Sequence, residues 1–233
     1  MNLSEARVLV TGGSTGIGKA IALELGKCGA KVLTNGRSAK RLTAASAQTG
    51  ALWVEADITT PEGVAATVAA VKEQLGGLDV LINNAGYGEF ERLEDVTWEA
   101  YQRVFATNVF GPAMLTAELV RILKKQQHGH IINMASTSAL KGFALGSMYA
   151  SSKFAMRGMT QCWQEELRRF NIRVTLVNPS EVTTAFAEVD RHERPEQHNK
   201  LRPVEIAHAV RGVLEMDNRG FIPELTVWAT NPF

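Results

Sequence analysis

Short apolar runs alternate along the chain with stretches whose apolar positions recur every three or four residues. The runs RVLV (7–10), KVLTN (31–35), ALWVEA (51–56), LDVLI (78–82), HIINMA (130–135), IRVTLVN (172–178) and GFIPELTV (220–227) read as strands. The first six are close to continuously apolar, the pattern of parallel strands covered on both faces. Helical periodicity fills the windows between them: 16–28, 39–48, 61–75, about 97–127 with a break at Gly111-Pro112, 148–170 and 203–216. Thr60-Pro61 reads as an N-cap followed by a first-turn proline, and Gly76-Gly77 closes the helix begun there. Strand–helix alternation with right-handed crossovers predicts one α/β domain over residues 1–233, a doubly wound, mostly parallel sheet of about seven strands with helices on both faces. Such a sheet binds its ligand at the carboxyl ends of its strands.

Composition changes this picture little. The 233 residues are 45% hydrophobic and 21% charged, enough for a sizeable core, and the net charge is +1. That balance argues against a dedicated nucleic-acid or anionic-membrane binder, which needs a concentrated basic surface. Cys28 and Cys162 lie far apart without metal-ligand spacing and read as free thiols. The apolar run 8–10 is too short for a cleavable signal, and no apolar stretch approaches the roughly 20 residues of a membrane span, so a cytoplasmic protein is expected.

The stretch VLVTGGSTGIGKAIA (8–22) carries the first candidate chemistry, and it has two readings. Gly13 to Lys19 is G-x-x-x-x-G-K, most of a nucleoside-triphosphate phosphate loop, but the next residue is Ala20, which offers no hydroxyl to Mg²⁺. Gly12, Gly16 and Gly18 instead suit a dinucleotide-binding turn, in which glycine permits a tight turn and close backbone approach to phosphate at a helix start. Downstream residues decide between them. Tyr149 and Lys153 in YASSK share one helix face, Ser136 ends the run IINMAS at the ligand-binding edge, and NNAG (83–86) follows another strand at that edge.

Taken together, T-G-x-x-x-G-I-G at 11–18, Asp57, N-N-A-G at 83–86, Asn108, Ser136 and Y-x-x-x-K at 149–153 resemble the short-chain dehydrogenase/reductase family, of Rossmann fold, over about residues 6–185. The resemblance implies hydride transfer between a nicotinamide and a carbonyl or alcohol carbon, with Tyr149 as general acid/base. Lys153 would lower the phenol's pKa and hold the nicotinamide ribose, Ser136 would polarise the carbonyl, and Asn108 would hold a water that passes protons to Lys153. A cation about 5 Å away at an effective dielectric near 20 favours a phenolate by roughly 3 kcal/mol, about two pK units. No metal is required. The resemblance also implies a cofactor site at Gly12, Ser14, Thr15, Gly16, Ile17, Gly18, Asp57, Ile58, Asn84, Ala85 and Gly86, shared with Tyr149 and Lys153. In NPSEVTT (178–184), similar to the family's P-G-x-V-x-T, Pro179, Val182 and Thr184 would meet the carboxamide, with Ser180 in place of a glycine. Asp57 equally suits a strand-end cap, and Asn83 suits a stitch between strands.

An acidic residue near the end of the second strand binds the adenosine ribose in NAD-preferring folds. Here Gly36 takes that place, followed by Arg37, Lys40 and Arg41. An arginine fork binds a 2′-phosphate that an acid would repel, so NADP(H) is expected over NAD(H). Tyr87, Phe90, Leu140, Phe143, Leu145 and Phe186 make the substrate side apolar, and about 180–202 forms a long substrate loop. His192 and His198 in that loop are not read as metal ligands, and His128 and His130 are turn and strand-start residues. A ketone or aldehyde reductase follows, forming a homodimer or homotetramer. The alternative is a cofactor-sensing regulatory protein without turnover.

Overall fold

The computed structural model describes residues 1–186 and 194–232. Its first half runs β1 (Arg7–Thr11), α1 (Gly16–Lys27), β2 (Lys31–Gly36), α2 (Ala39–Thr49), β3 (Leu52–Glu55), α3 (Pro61–Ala70) and β4 (Val80–Asn83). The second half runs α4 (Trp98–Phe105), α5 (Gly111–Gln126), β5 (Gly129–Met134), α6 (Ser147–Leu167), β6 (Ile172–Pro179), α7 (Pro203–Glu215) and β7 (Glu224–Val227). The seven strands make one sheet in the order β3-β2-β1-β4-β5-β6-β7, every pair parallel.

Period-two alternation divides the apolar strand residues between two cores. Val8, Val10, Val80, Ile82, Ile132 and Val177 pack with Ile21, Leu25, Val210 and Leu214 of α1 and α7. Leu9, Leu33, Leu81, Ile131 and Val174 point the other way, onto Val64, Leu115, Leu119 and Leu123 of α3 and α5. Continuously apolar strands are what a sheet covered on both faces requires.

Two helical windows contain a local widening. After α3 the chain makes a π turn over Val71–Leu75, and between α4 and α5 another over Ala106–Phe110. The expected break at Gly111-Pro112 is therefore a π turn just before it, through which the backbone stays helical. Pro112 has no N–H to give the carbonyl four residues back, which is that of Asn108. The last strand is shorter than expected, starting at Glu224 after Pro223.

β1 pairs with β2 on one side and β4 on the other, so the winding reverses direction between β1 and β4. Crevices outside the strand ends form at such a reversal.

Candidate active site

The turn between β1 and α1 shows why its glycines are there. Gly12 has φ +68°, and a Cβ on it would lie 2.9 Å from the Cα of Ala85. Gly16 has φ +53° and abuts the Thr184 side chain. Gly18 serves packing instead: a Cβ there would lie 2.4 Å from the Gly12 carbonyl and from Asn84 Nδ2. Asn84 Nδ2 donates to the Thr11 carbonyl at 2.9 Å, and Thr11 Oγ1 accepts from the amides of Asn84 and Ala85 at 2.9 Å each. Buried Asn35 accepts from the Gly12 amide at 3.1 Å and donates to Thr67. These bonds clamp the turn to β2 and β4.

A cavity of about 700 Å³ opens above these strand ends. Of the expected site residues, Gly12, Ser14, Thr15, Gly16, Ile17, Arg37, Asp57, Ile58, Asn84, Ala85, Gly86, Ser136, Tyr149, Lys153, Pro179, Val182 and Thr184 line it. Gly18 and Asn108 do not, and neither does Lys19 of the triphosphate reading. Asn83 lies under the floor as a stitch, its Nδ2 donating to Thr116 Oγ1 at 3.0 Å and Asn133 Oδ1 at 2.9 Å.

Ser136, Tyr149 and Lys153 come together on one wall. Ser136 follows β5 and caps a short turn; its Oγ accepts from the Ser138 amide at 3.1 Å and donates to Ser138 Oγ at 3.2 Å. Tyr149 lies in the first turn of α6 and Lys153 one turn on, with Nζ 5.6 Å from the centre of the phenol ring. Lys153 is buried and donates to the Met134 carbonyl at 3.0 Å. Burial pushes the lysine down to about 8. Burial also pushes the phenol up to about 12, a hydrogen bond with Ser136 pulling against it. The phenol thus moves opposite to the expected direction, because desolvation of the phenolate outweighs its polar neighbours.

Asn108 sits in the π turn, buried, with its side chain fully engaged. Its Oδ1 accepts from the Tyr87 amide at 2.8 Å, and Nδ2 donates to the Tyr87 carbonyl at 2.8 Å and Ser152 Oγ at 2.9 Å. It therefore ties the loop after β4 to α6.

At the other end of the cavity, Arg37 and Arg41 line the β2–α2 turn. Among the described residues neither guanidinium has a hydrogen-bond or ion-pair partner. Asp57 also lines the cavity while its Oδ1 accepts from the Thr59 amide at 3.0 Å and hydroxyl at 2.8 Å, so the strand-end cap is present. Ser180 stands without left-handed backbone, and its Oγ accepts from the Ala229 amide at 3.3 Å, joining the β6 end to the C-terminal tail.

On the substrate side Tyr87, Phe90, Phe143, Leu145 and Phe186 line the cavity, whereas Leu140 does not. Residues 187–193 of the expected loop, His192 among them, lie outside the described residues. The base of that loop is closed by a parallel bridge between Val182 and Leu201. Among the described residues, no group of three or more His, Cys, Asp or Glu side chains is placed to hold a metal ion. No helix there is long and apolar enough to cross a membrane. Cys28 and Cys162 are free thiols. Asn35, Thr59 and Thr107 also line the cavity, outside every expected site position.

The short chain dehydrogenase profile matches residues 6–195. An uncharacterized oxidoreductase of Staphylococcus epidermidis is 32% identical over 228 residues, 97% of each chain. The alcohol dehydrogenase of the archaeon Thermococcus sibiricus, complexed with 5-hydroxy-NADP, superimposes with a TM-score of 0.88 at 28% identity over 97% of each chain. A metagenomic short-chain oxidoreductase in complex with NADP does so with a TM-score of 0.86 at 30% identity over 99% of each chain. The chain belongs to the short-chain dehydrogenase family of oxidoreductases.

Proposed function

We propose that the protein is an NADP(H)-dependent oxidoreductase. It transfers a hydride reversibly between a nicotinamide and a carbonyl or alcohol carbon, working as a ketone or aldehyde reductase. The observation that carries this reading is one cavity with Ser136, Tyr149 and Lys153 on a wall and, at the far end, Arg37 and Arg41, which have no partner among the described residues. NADP or a derivative accompanies two structural relatives, in keeping with those two arginines.

The residues fit a dinucleotide. Gly12 and Gly16 line the cavity without side chains, and a buried ammonium at Lys153 has donors to spare beyond Met134. Gly12 to Ile17 would hold the pyrophosphate, Arg37 and Arg41 the 2′-phosphate, Asp57 and Ile58 the adenine, and Ala85 and Gly86 its ribose. Lys153 would hold the nicotinamide ribose and Pro179, Val182 and Thr184 the carboxamide. When bound, the cofactor supplies or takes up the hydride.

Tyr149, with its phenol pushed up to about 12, keeps its proton at neutral pH and is ready to give it to a carbonyl oxygen. Lys153, pushed down to about 8, is still mostly cationic at pH 7 and would stabilise the phenolate left behind. At about 5 Å that attraction is worth ~3 kcal/mol at an effective dielectric near 20. Ser136, held by the Ser138 amide, would turn its one hydroxyl proton from Ser138 Oγ to the same substrate oxygen. Asn108, its side chain engaged with Tyr87 and Ser152, would act by positioning the loop after β4 against α6.

The test follows NADPH absorbance while purified protein meets ketones, aldehydes and 3-oxo esters, with NADPH and NADH dissociation constants measured alongside. Carbonyl-dependent oxidation with tighter NADPH binding supports the reading. Cofactor binding without turnover of any compound favours the sensor alternative, and absence of NADPH binding overturns both.

A further inference from the structure

Two phenylalanines flank Tyr149, and a third stands against one of them. Phe90 and Phe186 each stand edge-on to Tyr149, their ring centres 5.5 Å from its own, and Phe143 lies 6.0 Å from Phe90. They come from three separate places: the loop after β4, the loop before α6 and the segment after β6. Two glycines make room for them. A Cβ on Gly88 would lie 2.6 Å from the Phe186 ring and 3.0 Å from Phe90, and one on Gly146 would lie 2.5 Å from Phe143.

Leu145 between these rings holds φ +66°, a left-handed conformation that costs a side-chain-bearing residue about 1 kcal/mol or more. Its carbonyl accepts from the Glu91 amide at 3.1 Å, so the strained residue ties the Phe143 loop to the Phe90 loop. Phe90 is 37% exposed, Phe143 49% and Leu145 51%, although all three line the cavity. Apolar area turned toward a cleft beside reactive groups is ligand-binding surface.

Charge on this side is already committed. Arg194 donates to the Thr184 carbonyl at 3.0 Å and the Val182 carbonyl at 3.3 Å, and lies 3.8 Å from Glu181. Arg103 is paired with Glu89 at 2.7 Å. Of the described cations that line the cavity, Lys153 is committed to the phenol and Arg37 and Arg41 belong to the β2–α2 side, so a substrate carboxylate would meet Glu181 and compete for Arg194.

Resting on the reductase reading, we propose that the substrate is an uncharged ketone or aldehyde with an aryl or cyclic apolar group beside the carbonyl, held in a cup formed by Phe90, Phe143 and Phe186. A flat ring meets these faces edge-on or offset, which gains about 0.5–1.5 kcal/mol per ring beyond area burial, up to roughly tenfold in affinity for each contact.

The test uses the full chain with NADPH and compares kcat/KM for benzaldehyde with butanal, acetophenone with 2-butanone, and either aryl compound with phenylglyoxylate. The aryl compounds should exceed their alkyl counterparts by about tenfold or more, and phenylglyoxylate should be the poorest aryl substrate. Phe90→Ala and Phe143→Ala should each lower the aryl-to-alkyl ratio several-fold, mainly through KM. Both rings are more than a third exposed, so truncation leaves the core intact. In parallel, ligand-observed NMR compares acetophenone and 2-butanone binding to wild type and to Phe143→Ala. If no carbonyl is turned over while acetophenone binds preferentially and Phe143→Ala removes that preference, the reductase reading fails and the cup stands. Equal or better handling of alkyl or carboxylate compounds, or ratios unmoved by either variant, overturns the cup whatever the turnover.

Discussion

Lys153 carries its ammonium into the interior at 4% exposure, with the Met134 carbonyl as hydrogen-bond partner. Its pKa falls from 10.5 to about 8 because burial penalises the charged form. The folded state therefore binds fewer protons than the unfolded one between those values, and this residue's contribution to stability rises as pH climbs from about 8 to 10.5. At neutral pH the buried charge costs ~3 kcal/mol, by the 1.36 kcal/mol per pK unit of linkage. Lys153→Met should accordingly match or exceed the wild type in thermal stability at pH 7 while reducing carbonyl turnover a hundredfold or more. Calorimetry beside a turnover assay checks both halves; a variant that melts lower and still turns over contradicts them. His130 shows the reverse edge of the pH range. Its Nε2 lies 2.8 Å from Thr175 Oγ1, which itself donates to the Ile222 carbonyl, so the imidazole must be the donor. Burial lowers its pKa to about 3 from 6.5, so the unfolded chain takes up this proton first. The resulting stability is complete above pH 6.5 and is lost as pH falls toward about 3. His130→Gln, which keeps a donor for Thr175, should flatten the loss of stability between pH 6 and 4 in circular-dichroism denaturation series; an unchanged slope would contradict the assignment.

In the proposed cofactor site, the turns after β1 and β2 would divide the work of holding a dinucleotide. The β1 turn offers backbone, and the β2–α2 turn offers charge through Arg37 and Arg41. Arg37→Ala or Arg41→Ala should weaken NADPH binding about tenfold or more, as loss of a charged hydrogen bond of about 1.5–3 kcal/mol implies, while leaving NADH nearly unchanged. Titration calorimetry with both cofactors distinguishes this from a general loss of the site. Most of this architecture is legible in the chain. Continuous apolar strands specify a sheet covered on both faces, and the spacing of Tyr149 and Lys153 specifies one helix face. What periodicity could not show was where each glycine's missing side chain matters. Gly18 keeps α1 close to the turn rather than lining the cavity, because only the tertiary fold brings Asn84 and Gly12 to within 2.4 Å of where its Cβ would stand. The direction of the Tyr149 shift was equally hidden, since sequence displays a nearby lysine but not the depth of desolvation. Asn108 is a mixed case: Gly111-Pro112 announced a disturbance, but the commitment of its side chain to Tyr87 and Ser152 depends on long-range packing.

Across the whole molecule, the cavity is assembled from the ends of several strands and the loops that follow them, which come from widely separated parts of the chain. A ligand bound there joins those parts and stabilises the fold as a unit. NADPH at a hundred times its dissociation constant should add ~2.7 kcal/mol and raise the melting temperature by a few degrees. Carbonyl reduction by the proposed route draws its proton from Tyr149. Wild type and Tyr149→Phe compared in carbonyl-dependent NADPH oxidation, with NADPH dissociation constants measured on both, put this to the test. Turnover should fall a hundredfold or more, the range a general acid contributes, with cofactor affinity within about twofold. Near-normal turnover in Tyr149→Phe with cofactor binding intact would contradict it.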